Sequence, residues 1–282
     1  MEPMTSRLSF RWLGVQGIEL RCDGQTLAID PFFTRPPLRD FVLLRGVQPD
    51  QALAERLLPA CRFVLVTHAH YDHVMDVPGI ALRTGATICG SPNTGRIMEL
   101  YGVPGDQFQP LETGRCLSLG PFEVEAVAGR HVRLPLDGLI NGPLSTHLRP
   151  PLRLVDYRMD YPLGFFIRAA GVRILVCPAA GRPADVLLCG MDRTPEVYHR
   201  LLDESRPRLW VPLHWDNFFR ALDLRPLRDP SERRGALREL RRPTGPGLKG
   251  LARLAAASEA HPQFLIPRLF EWVDLSYLSQ DK

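Results

Sequence analysis

The chain opens with apolar and polar residues in alternation. Residues 9–20 (SFRWLGVQGIEL) and 20–30 (LRCDGQTLAID) flank the turn signal Asp23-Gly24, which predicts a pair of strands ending in Asp30-Pro31. Residues 62–67 (RFVLVT) form a short continuous apolar run rich in β-branched side chains, the pattern of a strand buried on both faces. A short helix is predicted over residues 76–84, a strand over 86–90, and a glycine-closed helix over 93–102. Strand patterning returns over residues 116–127, around Gly120-Pro121. Residues 164–170 and 172–177 read as a hairpin about Ala170-Gly171, 194–205 as a helix, and 208–213 (RLWVPL) as another buried strand. Strands come first as meanders and then interleave with helices, twice over. That order predicts an α/β fold in which two sheets pack together under outer helices, with residues 1–282 as one domain.

Two stretches break the rhythm. Residues 132–162 carry Pro135, Pro143, Pro150, Pro151 and Pro162 with little periodicity, so they read as a long loop, a candidate lid over a site. Residues 220–253 hold ten basic and four acidic side chains, with Gly245-Pro246-Gly247 as a breaker, and read as a solvated basic face.

Composition narrows the class. Of 282 residues, 45% are hydrophobic and 23% charged, which excludes a chain too polar to build a core. No apolar run reaches the ~18 to 20 residues that span a bilayer, and no basic start precedes an apolar stretch at the N-terminus. The expectation is a cytoplasmic protein with no membrane partner. The net charge is +4, and the only lysines are Lys249 and Lys282. An arginine bias this even along the chain reflects general composition more simply than phosphate recognition. The six cysteines form no C-x-x-C pair and read as buried free thiols.

The chemistry concentrates at the end of the buried 62–67 strand, in Thr67-His68-Ala69-His70-Tyr71-Asp72-His73. Four potential metal ligands fall within six residues. Imidazoles and carboxylates are costly to bury without partners, and clustered imidazoles repel one another when protonated. A divalent metal removes both problems, because it takes neutral imidazole and ionised carboxylate.

H-x-H-x-D-H after an apolar strand resembles the metallo-β-lactamase superfamily. Residues 11–32 (RWLGVQGIELRCDGQTLAIDPF) resemble its opening strands, with Asp30 matching an aspartate that lies behind the ligands. Gly129-Arg130-His131 and Val211-Pro212-Leu213-His214 each follow a strand where that family places a further histidine. His214-Trp215-Asp216-Asn217-Phe218-Phe219 resembles the ending of a bacterial branch of the superfamily, and the general layout is similar to the ascorbate-6-phosphate lactonase type. The resemblance implies a four-layer αβ/βα sandwich with two adjacent metal sites, usually zinc. It assigns His68, His70 and His131 to one site, Asp72, His73 and His214 to the other, and Asp30 to orienting a ligand. His199 and His261 are read as surface residues. In the candidate lid, His147, Arg149 and Tyr157 are possible substrate contacts, beside Arg133 and Leu134.

The chain departs from the family's pattern at one point. Where a glycine-aspartate pair normally supplies a carboxylate bridging both metals, residues 177–181 read Cys-Pro-Ala-Ala-Gly, with Ala179 or its neighbour at the bridging position. Cys177 stands nearby, either as a thiolate ligand or, as we read it, as a strand-end core residue. The expectation is therefore one or two zinc ions. The implied activity is hydrolysis by zinc-bound hydroxide of an ester, lactone, amide or phosphodiester bond in a small molecule, with Asp72 orienting the nucleophile or taking its proton. The alternatives are a catalytically weak binding module, a nucleic-acid phosphodiesterase that uses the basic segment, and an iron oxygenase of the same fold. Nucleic acid is disfavoured as a partner because no large insertion is evident. The iron reading is disfavoured because a primary carboxylate is missing. Oligomeric state is left open.

Overall fold

The opening alternation resolves into three strands rather than two: β1 (Leu8–Gly14), β2 (Gly17–Cys22) and β3 (Gln25–Ile29). The computed structural model describes residues 7–132, 137–191, 193–222 and 246–279. Asp23-Gly24 makes the expected β2–β3 hairpin, both residues having positive φ (47° and 73°) as a two-residue turn requires. A second turn at Val15-Gln16 splits the first run. Val15 itself is neither asparagine nor glycine although its φ is 49°, and the turn signal lies in the flanking Gly14 (φ 98°) and Gly17.

The remaining strands are β4 (Phe63–Leu65), β5 (Thr87–Gly90), β6 (Phe108–Pro110), β7 (Cys116–Leu119), β8 (Phe122–Ala128), β9 (Leu163–Ala169), β10 (Val172–Val176), β11 (Val186–Gly190), β12 (Leu209–Leu213), β13 (Gln263–Phe264) and β14 (Trp272–Asp274). They form two seven-stranded sheets, ordered β14-β1-β2-β3-β4-β5-β6 and β13-β12-β11-β10-β9-β8-β7. Each sheet is antiparallel in one half and parallel in the other, from β3 to β6 in the first and from β10 to β13 in the second.

Period-two patterning separates the faces of each strand. Phe165, Ile167, Ile174, Val176, Val186 and Leu188 point between the sheets, against Phe10, Ile18, Leu20, Ile29 and Leu65. The intervening Phe166, Leu175 and Leu187 face outward, under Tyr198, Leu201, Leu202 and Leu251. The described helices are α1 (Leu38–Val42), α2 (Gln51–Leu57), α3 (Tyr71–Val74), α4 (Val77–Thr84), α5 (Pro92–Leu100), α6 (Asp137–Ile140), α7 (Pro195–Ser205) and α8 (Gly247–Ala257), and those four side chains lie on α7 and α8. On the other side, Ala28, Val64 and Ile88 face Ile80 and Ala81 of α4 (Val77–Thr84) and Ile97 and Met98 of α5 (Pro92–Leu100). The result is the αβ/βα order expected from the sequence. Each fully buried large apolar side chain contributes ~1.5 to 3 kcal/mol, so the layering is enforced by many residues at once.

Residues 132–162 are less open than a lid built only of loop. Residues 133–136, including Arg133 and Leu134, lie outside the described part. The described part holds a short helix, Asp137–Ile140, and a 3-10 turn, Leu154–Asp156, with Leu152, Leu154, Val155 and Tyr157 buried. Apolar residues spaced among the prolines draw this segment down onto the helical layer. Of the basic stretch, residues 223–245 lie outside the described residues. Pro246 precedes α8, which begins at Gly247. Among the described residues, no helix is long and apolar enough to cross a membrane. Five cysteines are buried and Cys116 is exposed, and no disulfide forms among the described residues.

Strand ends meet at one edge. Leu163 N–H, at the start of β9, donates to Thr67 O after β4 (2.7 Å), and His214 N–H, after β12, donates to Val15 O (2.7 Å). Gly129, after β8, bridges Pro178, after β10. There is no room for a side chain at Gly129: a Cβ would lie 2.5 Å from the Leu163 carbonyl carbon and 2.6 Å from its oxygen. Replacing Gly129 with alanine should therefore force the backbone apart and cost ~1 to 3 kcal/mol of stability. Denaturant unfolding of Gly129→Ala and wild type measures this, and equal midpoints would refute the packing argument.

Candidate metal centre

β4 runs out through Val66 and Thr67 into an extended stretch that ends at His70 (φ −71°, ψ 153°), where a one-turn helix, Tyr71–Val74, begins. His68 and His70 thus leave the chain from alternate positions of an extended segment, and Asp72 and His73 from the first helical turn. All four are buried. The loops after β8 and β12 bring up the half-buried His131 and His214. His214 has φ 57°, a left-handed conformation held by its bond to Val15 O. Asp216, two residues on, accepts from Val15 N–H (2.9 Å) and pairs with Arg35 (2.6 Å). The Val15-Gln16 turn is therefore part of the frame that sets His214.

Six side chains from three loops form two adjoining triads. The donor atoms of His68, His70 and His131 all lie within 4.8 Å of one another, as do those of Asp72, His73 and His214. The triads touch through His68 and His73, whose ring centroids are 3.8 Å apart. Asp72 Oδ2 lies 3.5 Å from His73 Nε2 and 3.3 Å from His214 Nε2.

Hydrogen bonds behind the triads fix which nitrogen of His68, His70 and His73 carries a proton. Asp30, fully buried, accepts from Thr67 N–H (2.7 Å), Thr67 Oγ1–H (2.5 Å) and His73 Nδ1–H (2.8 Å). Since the Thr67 hydroxyl proton goes to Asp30, its oxygen accepts from His68 Nδ1–H (3.0 Å). His68 and His73 both retain a lone pair on Nε2. His68 Nε2 is buried and has no hydrogen-bond partner. An orphaned acceptor of this kind is costly unless something fills the space beside it. His70 Nε2 faces two oxygens, Ile140 O and Asn141 Oδ1, each at 3.1 Å, so its lone pair is on Nδ1.

The electrostatics suit a cation. Burial, reinforced by neighbouring imidazoles, holds His68 well below the usual histidine pKa. Burial also lowers His70, although the Asp72 charge opposes it. Burial alone would raise the Asp72 pKa, but His73 and His214 outweigh it and hold the carboxyl well below the usual carboxylate range. His68 and His70, held neutral beside the ionised Asp72, fit the donor set a divalent metal needs.

Pro178 and Ala179 lie next to the loop of His131, Ala179 N–H donating to Ala128 O (2.8 Å). Cys177 has φ 49°, a backbone conformation that glycine adopts freely, so it stands where a glycine-aspartate pair has its glycine, and Pro178 follows. Neither Pro178 nor Ala179 has a ligating side chain. The Cys177 thiol accepts from Gln16 Nε2–H and packs in the core between the sheets; among the described residues it belongs to neither triad.

The remaining candidates lie apart from this cluster. His147 and Arg149 are exposed. Tyr157 is fully buried and its hydroxyl meets that of Tyr101 (2.9 Å), with burial raising its pKa well above the usual value. His199 and His261 are exposed, as the sequence suggests. Sequence reasoning missed Thr67, Asp76, Asn141 and the bracing role of Asp216. Asp76 accepts from Phe33 N–H (2.6 Å), Thr34 N–H (2.8 Å) and the Thr34 hydroxyl (2.5 Å), locking the loop after Asp30 against the helix that carries Asp72. A buried polar side chain next to a ligand motif is the one signal that pointed to Thr67. Asn141 carried none.

Residues 25–215 match a family model described as a beta-lactamase superfamily domain. A UPF0173 metal-dependent hydrolase of Anaeromyxobacter sp. (strain K) is 37% identical over 112 residues, 38% of this chain and 36% of that protein. Another, from Symbiobacterium thermophilum, is 27% identical over 215 residues, 75% of this chain and 85% of that protein. Among solved structures, Igni18, a metallo hydrolase from Ignicoccus hospitalis KIN4/I, superposes with a TM-score of 0.54 at 17% identity, over 95% of this chain and 98% of that one. At that identity the likeness speaks for the fold. With the family model extending from β3 through His214, this chain belongs to the metallo-β-lactamase superfamily.

Proposed function

We propose that the chain is a metal-dependent hydrolase that takes zinc and opens an ester, lactone, amide or phosphodiester bond of a small molecule. The observation that carries this reading is the convergence of two adjoining triads in which His68, His70 and His73 are oriented by hydrogen bonds from behind. His68, His70 and His131 would hold one ion, and Asp72, His73 and His214 a second. A bound zinc ion acts as a Lewis acid and lowers the pKa of a coordinated water from ~15.7 to about 7. Three neutral histidines leave a fourth tetrahedral position open for water or substrate. Asp72, held ionised beside His73 and His214, would orient the attacking oxygen or take its proton. Asp30 and Thr67 keep the imidazoles of His68 and His73 from rotating, which preserves the geometry through the reaction.

The six ligands carry a single negative charge, on Asp72. Without a bridging carboxylate at Pro178 or Ala179, two dications repel each other across the site with little to offset them. We infer that one ion is held tightly and a second weakly. The same observation favours the second reading, a catalytically weak binding module. Zinc-loaded protein that turns over no ester, lactone, amide or phosphodiester would select it.

Elemental analysis of protein purified without chelator should find at least one zinc per chain, and His68→Ala should lose both the metal and hydrolysis. Unchanged metal content in that variant would sink the assignment. Asp30→Asn should weaken zinc affinity ~10- to 100-fold by disturbing the ring orientation of His73 and His68, as read by competition with a chromogenic chelator.

The metal-free protein should also be acid-sensitive. His68 and His70 have folded-state pKa values below the ordinary ~6.5. As pH falls through that value, the unfolded chain takes up protons that the folded one excludes. Their stabilising contribution is complete above ~6.5 and is lost as pH drops toward the folded-state values. Denaturant midpoints of metal-free protein should fall on going from about pH 7 to about pH 5. They should fall less in His68→Gln, and pH-independent midpoints would contradict the burial argument.

A further inference from the structure

Every ligand ring needs something behind it to choose its tautomer. For His68 and His73 that support comes from Thr67 and Asp30, which sit on the ends of core strands. For His70 it comes from elsewhere. Its Nε2–H is shared between Ile140 O and Asn141 Oδ1, both at 3.1 Å and both belonging to the turn that follows the helix Asp137–Ile140. A backbone carbonyl can only accept, so the contact with Ile140 fixes Nε2 as the donor nitrogen whichever way the Asn141 amide is turned.

That turn is itself held at several points. Gly142 N–H donates to Met159 O (2.7 Å) and Met159 N–H to Ile140 O (2.9 Å). The Arg158 guanidinium donates to Asn141 O. Asn93, in the first turn of α5, donates through Nδ2 to Gly142 O (3.0 Å) and Arg158 O (2.7 Å), and its N–H donates to Asp160 (2.9 Å). The Asn141 oxygen therefore reaches His70 from a braced support rather than from a free loop tip.

We propose that Asn141 is a positioning residue of the metal centre: with the Ile140 carbonyl it holds His70 in the Nε2–H form, which leaves Nδ1 as the ligating nitrogen. This rests on the metal-centre reading above and deepens it. One consequence is reciprocal coupling. A metal that requires the Nδ1 lone pair favours the state in which residues 140–142 are docked on His70, and docking of those residues raises metal affinity by the same factor. A segment that lies outside both sheets thereby becomes part of the affinity of a site built on the sheet edge.

The test is zinc affinity, by chelator competition, on the full chain as wild type, Asn141→Leu, Asn141→Asp and His68→Ala. Asn141→Leu keeps the volume and removes the acceptor, and it should weaken zinc binding ~10-fold or more. Asn141→Asp restores an acceptor oxygen and should recover most of the loss, a rescue that a merely structural role does not predict. The cobalt-substituted absorption spectrum should shift in Asn141→Leu and return in Asn141→Asp. Wild-type affinity in Asn141→Leu, with none in His68→Ala, would overturn the positioning role and leave the metal centre standing. No binding by wild type would overturn both. Should Asn141→Leu fail to fold, amide hydrogen exchange of residues 137–142 in wild type decides the question. Added zinc is expected to slow it, and unchanged exchange would overturn the coupling.

Discussion

A buried carboxylate with three donors around it organises the chemistry of this protein. Asp30 sits at the end of β3 and receives the Thr67 amide, the Thr67 hydroxyl and the His73 ring. Those bonds tie the end of β3 to the end of β4. Through Thr67 they also reach His68, so one acidic group determines the proton positions of two imidazoles. The cost of burying Asp30 is offset only because all three donors are present, and the loop after β4 must adopt its observed shape to present them. The extended segment that aims His68 and His70 follows from that requirement.

The two sheets explain why the other ligands arrive. β8, β10 and β12 share a direction in the second sheet, so their C-terminal loops emerge together, opposite those of β3 and β4 in the first. Close backbone contacts set the offset between the sheets. The Leu163–Thr67 and His214–Val15 bonds clamp one sheet to the other, and the packing at Gly129 allows no slack. A rigid edge of this kind can hold several imidazoles within a few ångströms of each other. Burial contributes by keeping His68 and His70 neutral.

The site departs from its family's pattern at the end of β10. A left-handed Cys177 followed by Pro178 keeps the backbone path of the missing glycine-aspartate pair while removing its carboxylate. The thiol turns toward Gln16 and the core. The scaffold survives this change because the path is set by main-chain bonds, Ala179 to Ala128 among them, rather than by the absent side chain. The negative charge of that carboxylate is lost, since neither Pro178 nor Ala179 carries an ionisable side chain.

Much of this was legible in the sequence for local reasons. The αβ/βα layering follows from period-two and period-3.6 patterning, and H-x-H-x-D-H declares itself because four polar groups after an apolar strand have no packing explanation. His131 and His214 were found only through resemblance, since a single histidine after a strand carries no signal of its own. Asp216, Asp76 and Asn141 were invisible as functional residues, because each acts on a partner far along the chain: Val15, Thr34 and His70. The Val15-Gln16 turn was missed because its glycines, Gly14 and Gly17, flank the turn rather than occupy it, and a tertiary bond to Asp216 holds Val15. Sequence thus determined which elements form and which side chains are candidates to bind a metal, properties that depend on near neighbours. The tertiary structure alone decided which nitrogen of His68, His70 and His73 carries the proton, because that depends on hydrogen bonds between residues brought together only by folding.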